Sequence, residues 1–329
     1  MNWFTTFQIP KAQPPIAFDA KILSLGSCFA QVIGEQLSRR KFKTLINPFG
    51  TLFNPISIAK VLEDSLMDAP LDTSLINERE GLFFHYNYHS DLNAKTKAEL
   101  VEKIKKVQAG VRDFLQSADV LILTFGTGWI YSLADSNEVL ANCHKQPQSL
   151  FEKRLLTLEE MYQATKSLLM TIQERNPNLR VILTVSPVRH TKDGVPENQL
   201  SKSLLRVLCD SLSKSSPQAE YFPAYEIMMD ELRDYRFYKS DQIHPSQEAE
   251  EYIWNRWTQT YFSEATLKKV VEIERIQAQL QHRPLNPESQ NHRQFLQKLL
   301  EKLERLAGEF DFSTEIKSVN QQLKDLSEN

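Results

Sequence analysis

Three short apolar runs constrain what this chain can fold into more than any other feature. Residues 20–25 (AKILSL), 119–125 (DVLILTF) and 180–186 (RVILTVS) are too short for helices, rich in Val, Ile and Leu, and apolar at successive positions rather than alternate ones. A strand apolar on both faces is covered on both, the condition of a strand inside a parallel sheet. Amphipathic stretches separate the runs. Phe29, Val32, Ile33 and Leu37 recur at helical spacing, residues 95–118 form a long helical pattern, Thr157 and Glu160 make a capping box, and residues 198–214 read as another helix. Asn54 and Pro55 supply an N-cap and a first helical residue for a further helix to about Leu66. A short strand at 219–222 and a helix capped by Ser246, carrying Ile253, Trp254 and Trp257, close this part. The alternation predicts an α/β fold with a parallel sheet between two layers of helices.

After about Phe262 the chain becomes Gln, Glu, Lys and Leu in helical patterns over 267–280, 295–306 and 316–326, punctuated by Pro284, Pro287 and Gly308. Two regions are expected: a main domain over residues 1–262 and a helical extension over 263–329. The extension carries no catalytic pattern and packs on the main domain or against a second copy of the chain, as a homo-oligomer contact.

Composition removes several classes of function. Lys and Arg number 39 against 42 Asp and Glu, a net charge of −3, which leaves no electrostatic footprint for nucleic acid. At 41% hydrophobic the chain can build a large core. No apolar run approaches the ~18 residues of a membrane span, and residues 1–15 (MNWFTTFQIPKAQPP) lack the basic-then-apolar pattern of a secretion signal. Cys28, Cys143 and Cys209 form no CxxC pair, against a disulfide framework or structural zinc. The expectation is a cytoplasmic protein that needs no cofactor and acts on a small molecule.

Only 9 residues are glycine, so each one marks a place where the backbone needs it. Gly26, Gly50, Gly126 and Gly128 fall in three short motifs, two of them directly after apolar runs, where open α/β sheets place ligand sites. Ser27 lies in Gly26-Ser27-Cys28-Phe29-Ala30, between a strand and a helix. There its Oγ reaches the carboxyl edge of the sheet beside the positive end of the helix dipole, a good position for a nucleophile. Capping the helix is the commoner reason for a serine at this point. Asp241-Gln242-Ile243-His244-Pro245 shifts the balance: an Asp three residues before a His can accept Nδ1–H and leave Nε2 as a base. Asn142 and His144 lie in a polar segment, where substrate contacts and plain solvated loop are about equally expected. Arg189 and His190 follow the third apolar run. The Arg189 guanidinium suits an anionic substrate, and a surface pair is at least as common. His85 and His89 would share a face of a strand, but no third metal ligand is spaced near them.

The string GSCFA at residues 26–30, with Asn47-Pro48-Phe49-Gly50-Thr51, Thr124-Phe125-Gly126-Thr127, Asn142-Cys143-His144-Lys145, Ser186-Pro187-Val188-Arg189 and Asp241-x-x-His244, resembles the GSCFA family within the SGNH (GDSL-like) hydrolases over roughly residues 15–260. The resemblance implies a flavodoxin-like three-layer α/β/α sandwich and a serine hydrolase that cleaves an ester, such as a saccharide O-acyl ester. In that pattern Ser27 is the nucleophile, His244 and Asp241 complete the triad, and Gly50 N–H helps to hold the oxyanion. The third block departs from it: Gly126-Thr127-Gly128-Trp129 stands where an asparagine usually donates to the oxyanion. Thr127, Asn142 and Arg189 are the candidates to replace that donor. An O-acyltransferase with the same triad and a non-catalytic binding protein on a degenerate domain are the alternatives.

Overall fold

The computed structural model describes residues 5–282 and 284–328; the ends of the two expected regions, Met1 and Asn329, fall outside them. In chain order the main elements are β1 (Lys21–Gly26), α1 (Cys28–Arg39), β2 (Lys43–Ile46), α2 (Pro55–Leu66), β3 (Ile76–Arg79), β4 (Leu82–His85), α3 (Lys97–Leu115), β5 (Val120–Phe125), β6 (Trp129–Leu133), β7 (Val139–Leu140), β8 (Phe151–Leu155), α4 (Leu158–Arg175), β9 (Arg180–Val185), α5 (Val195–Ser215) and β10 (Ala219–Tyr221). A short helical stretch, α6 (Ala224–Glu226), runs into a π-helical turn, Ile227–Glu231. The helices α7 (Gln247–Tyr261), α8 (Glu264–Gln281), α9 (Gln290–Leu306) and α10 (Ser313–Glu328) follow.

The three apolar runs form β1, β5 and β9, the centre of a five-stranded sheet in the order β10-β9-β5-β1-β2, parallel throughout. Counted along the chain within that sheet, the order is 2-1-3-4-5, the doubly wound arrangement of flavodoxin-like folds. Strand periodicity sorts the side chains into two cores. Leu23, Leu25, Leu121, Leu123, Val181 and Leu183 face α2, α3, α4 and α5, while Ile22, Val120, Ile122 and Ile182 face α1 and α7. The result is the α/β/α sandwich expected from the sequence. The strand order reverses between β1 and β5, and such switch points are where these folds hold their ligands.

The last three helices have a core of their own around Ile276, Leu299, Leu303 and Phe312, and it continues into the main domain. Phe18 joins the two cores, with ring centroids 4.7 Å from Phe42 and 5.0 Å from Phe310. Arg40 reaches Glu274 at 2.6 Å and Lys41 reaches Glu315 at 2.6 Å. The extension thus packs on its own chain, at the end of α1. Among the described residues no helix is long and apolar enough to cross a membrane.

Gly26 ends β1 at φ +140, and a Cβ there would run into the Thr124 carbonyl of β5. Neither the backbone nor the strand can give way. Gly26→Ala is expected to cost about 3 kcal/mol of stability, read as a lowered melting temperature. A melt that matches the wild-type chain would show the turn to be more plastic than this.

Candidate active site

Ser27 follows β1 and caps α1, its Oγ accepting the Phe29 N–H at 3.3 Å. That bond is long, so it holds the hydroxyl only weakly. The residue is 1% exposed, and its own N–H donates to the Thr124 carbonyl at 3.0 Å. The neighbouring loop is stitched onto this turn. Asn47 Oδ1 accepts Gly26 N–H at 2.9 Å, Leu52 N–H donates to the Gly26 carbonyl at 2.9 Å, and Gly126 N–H donates to the Phe53 carbonyl at 2.7 Å. The ends of β1 and β5 are therefore fixed together by one loop, with Ser27 between them.

Asp241 and His244 form a pair of their own. His244 Nδ1 lies 2.7 Å from Asp241 Oδ2, while Asp241 Oδ1 accepts the N–H groups of Ile243 (2.9 Å) and His244 (3.0 Å). These three bonds hold the Asp241 carboxyl down to about 2, so it is ionised at any working pH. With Nδ1–H given to the carboxylate, the lone pair is on Nε2. The half-exposed pair is tied to the end of β9 through Arg189, whose N–H donates to the Ile243 carbonyl (3.1 Å) and whose guanidinium donates to the Gln242 carbonyl (3.2 Å).

The other residues singled out in the sequence have partners that explain them. Gly50 N–H donates to the Asn47 carbonyl across the turn (2.8 Å), so the oxyanion donor expected there is engaged within its own loop. The residue sits at φ +73 under His89, and a Cβ would collide with that side chain. Thr127 Oγ1 lies 3.1 Å from Ser201 Oγ and accepts the Trp129 N–H at 3.1 Å, tying β5 to α5. Asn142 Oδ1 accepts the His144 N–H at 2.8 Å. His144 itself is buried, stacked on Phe84 at 4.2 Å, with Nε2 on the carbonyls of His85 (3.2 Å) and Tyr88 (3.0 Å). This pair braces the 85–89 loop. Arg189 turns its guanidinium toward Tyr238 and the 241–244 loop, which gives it a holding role at the edge of the site. His85 and His89 do not share a strand face: β4 ends at His85, which accepts Asn87 N–H at Nδ1 (3.1 Å), and His89 caps the next turn.

Two residues gain weight from the structure. His190 points inward beside Ser27, its ring edge-on to Phe53 at 5.3 Å. Lys202 is 1% exposed, and its Nζ donates to the carbonyls of Gly126 and Ser186 at 2.7 Å each, clamping the carboxyl ends of β5 and β9. Burial pushes its ammonium down to about 7. The signal for Lys202 is present in the sequence, since it occupies the buried stripe of α5 with Asn198, Leu205 and Cys209.

The fold defines a doubly wound α/β protein, with a polar cluster at its switch point. The profile of the GSCFA family matches residues 21–257, and that of the GSCFA domain protein, C-terminal domain, matches residues 273–325. The chain belongs to the GSCFA family. No curated protein matches it.

Proposed function

We propose that this protein is a serine hydrolase of SGNH type that cleaves an ester by acyl transfer through Ser27. The observation that carries the reading is the Asp241–His244 pair, oriented for a lone pair on Nε2 and held by Arg189 at the sheet edge where Ser27 heads α1. In the first half-reaction Ser27 Oγ bonds to the ester carbonyl carbon while His244 Nε2 takes the hydroxyl proton. Collapse of the tetrahedral intermediate breaks the bond to the alcohol, and His244 returns its proton to the departing alkoxide. Water then attacks the acyl-serine with His244 again as base, releasing the carboxylic acid and restoring Ser27. The Asp241 carboxylate stabilises each imidazolium. A saccharide O-acyl ester is the substrate class suggested by the resemblance to SGNH hydrolases, and the setting is cytoplasmic.

One observation favours a second reading, a binding protein without turnover: Ser27 is 1% exposed and its Oγ serves as the helix cap. A fluorophosphonate probe separates the two. Covalent labelling at Ser27 supports the hydrolase, and an unlabelled, folded chain supports the binder. Acyl transfer from a sugar ester to an added alcohol, in preference to water, would make the enzyme an O-acyltransferase.

Asp241→Asn tests the triad. The amide oxygen keeps the N–H groups of Ile243 and His244, which turns the NH2 toward His244 Nδ1. Nδ1 must then accept, and the proton moves to Nε2, where the base has to be free. Turnover of p-nitrophenyl acetate is expected to fall by about 10²–10³, less than the ~10⁴ of a buried triad aspartate because water surrounds this pair. An unchanged kcat would remove Asp241 from the mechanism.

A further inference from the structure

A nucleophilic Ser27 needs a donor for the oxyanion: the Gly50 and Ser27 N–H groups are bonded elsewhere, Thr127 Oγ1 is paired with Ser201, and Arg189 and Asn142 are turned to the 241–244 loop and to His144. His190 differs from them. Its Nε2 is buried with no hydrogen-bond partner. A Cβ on Gly126 would stand 3.2 Å from this nitrogen and 3.2 Å from Ser27 Cβ, so the two lie no more than twice that distance apart. Asn198 Oδ1 holds the His190 N–H at 2.8 Å, and Phe53 closes the other side of the ring. An unpaired polar atom in such a place is costly, and a substrate oxygen seated against Gly126 would remove the cost.

We propose that His190 is a catalytic residue of this site, a neutral imidazole that donates Nε2–H to the oxygen of the tetrahedral intermediate formed on Ser27. The assignment rests on the serine-hydrolase reading. The two histidines divide the work through their neighbours. His244 has Asp241 at 2.7 Å to stabilise a positive ring. Burial pushes His190 down to about 3, and the Lys202 ammonium from α5 and the ring of His244 from the 241–244 loop further oppose a positive charge on it. A ring that stays neutral is a poor base and a steady donor. Because Gly126 has no side chain, the space between His190 Nε2 and Ser27 stays open for the substrate oxygen.

The experiment uses the full chain, p-nitrophenyl acetate and an alkyl fluorophosphonate. His190→Ala is expected to lower kcat by 10²–10³ with little change in KM, and to leave the pH dependence governed by His244. His190→Asn, which retains an N–H donor and cannot act as a base, is expected to recover at least tenfold over the alanine variant. In the phosphonylated wild-type chain, nitrogen NMR is expected to find the His190 proton on Nε2, a readout that does not depend on how the variants fold. A fully active His190→Ala beside a dead Ser27→Ala would leave the hydrolase standing and overturn this role. So would an asparagine variant no faster than alanine, a pH dependence lost with His190, or a proton on Nδ1 in the adduct. A wild-type chain that neither turns over the ester nor takes the label would overturn the hydrolase reading and this proposal together.

Discussion

Ser27→Ala is expected to abolish fluorophosphonate labelling and to lower turnover on the order of 10⁴-fold or more, while Cys28→Ala stays active. The two neighbours differ in geometry rather than in intrinsic reactivity, since a thiol attacks readily once ionised. Ser27 stands in the extended turn before α1, and Cys28 begins the helix about 100° further round. Burial raises the Cys28 thiol above its ordinary range, with only a weaker opposing backbone contribution, so thiolate is scarce near neutral pH. Loss of that sulfur costs packing, about 1 kcal/mol, and no chemistry. Loss of the Ser27 hydroxyl removes the attacking atom and also the cap on the Phe29 N–H, so its melting temperature falls slightly as well. Intact-mass measurement of the probe adduct and the rates of the two variants decide the matter. A folded, dead Cys28→Ala beside an active Ser27→Ala would make the enzyme a thiol hydrolase.

The central frame was legible because local and global demands coincide in it. Runs buried on both faces became β1, β5 and β9, and the caps at Asn54, Thr157 and Ser246 open α2, α4 and α7 with the side-chain bonds their residue types predict. Strand β2 was not legible: Lys43–Ile46 is four residues long with none fully buried, and pairing to β1 rather than composition makes it a strand. The β3–β4 hairpin and the three-stranded β7-β6-β8 sheet are likewise partly exposed and irregular in pattern. At the site, the cap that Ser27 puts on α1 and the Asp241–His244 hydrogen bond could be read from spacing because both are local. His190 could not. In Arg189-His190 the guanidinium looks like the ligand, yet the chain turns Arg189 toward Gln242 and Tyr238 and His190 toward Ser27. Which of two adjacent residues faces inward is set by the bond from His190 N–H to Asn198, a tertiary contact with no local signature.

Mild acid is expected to destabilise this protein steeply, and the cause is three imidazoles buried in neutral form. His85 faces the Asp72 carbonyl through Nε2 at 3.0 Å and accepts Asn87 N–H at Nδ1, a bond that protonation would break. His144 shares its Nε2 between two carbonyls while its Nδ1 is buried without a partner. His190 is the third. Burial holds His85 and His144 down to about 4 and His190 to about 3. In the unfolded chain each returns to the ordinary histidine value of ~6.5. Between those limits the unfolded state binds more protons than the folded one, so stability rises with pH across the window and falls as pH drops through it. With three protons taken up together the slope approaches about 4 kcal/mol per pH unit, a loss of about 9 kcal/mol by pH 4, comparable with a typical folding free energy of ~5–15 kcal/mol. Carboxylates cannot produce this onset. Asp241 and Glu160 are both held down to about 2, so the stability they contribute is lost as pH falls from the ordinary carboxylate value of ~4 toward 2, below the histidine window. Thermal melts at quarter-unit steps from pH 7 to 4.5 are expected to show the loss beginning near pH 6.5. His144→Gln, which keeps a donor for the His85 and Tyr88 carbonyls, is expected to remove about one proton from the slope. A melting temperature that stays level from pH 7 to pH 5 would mean that the three rings are charged, or free to become so, in the folded protein.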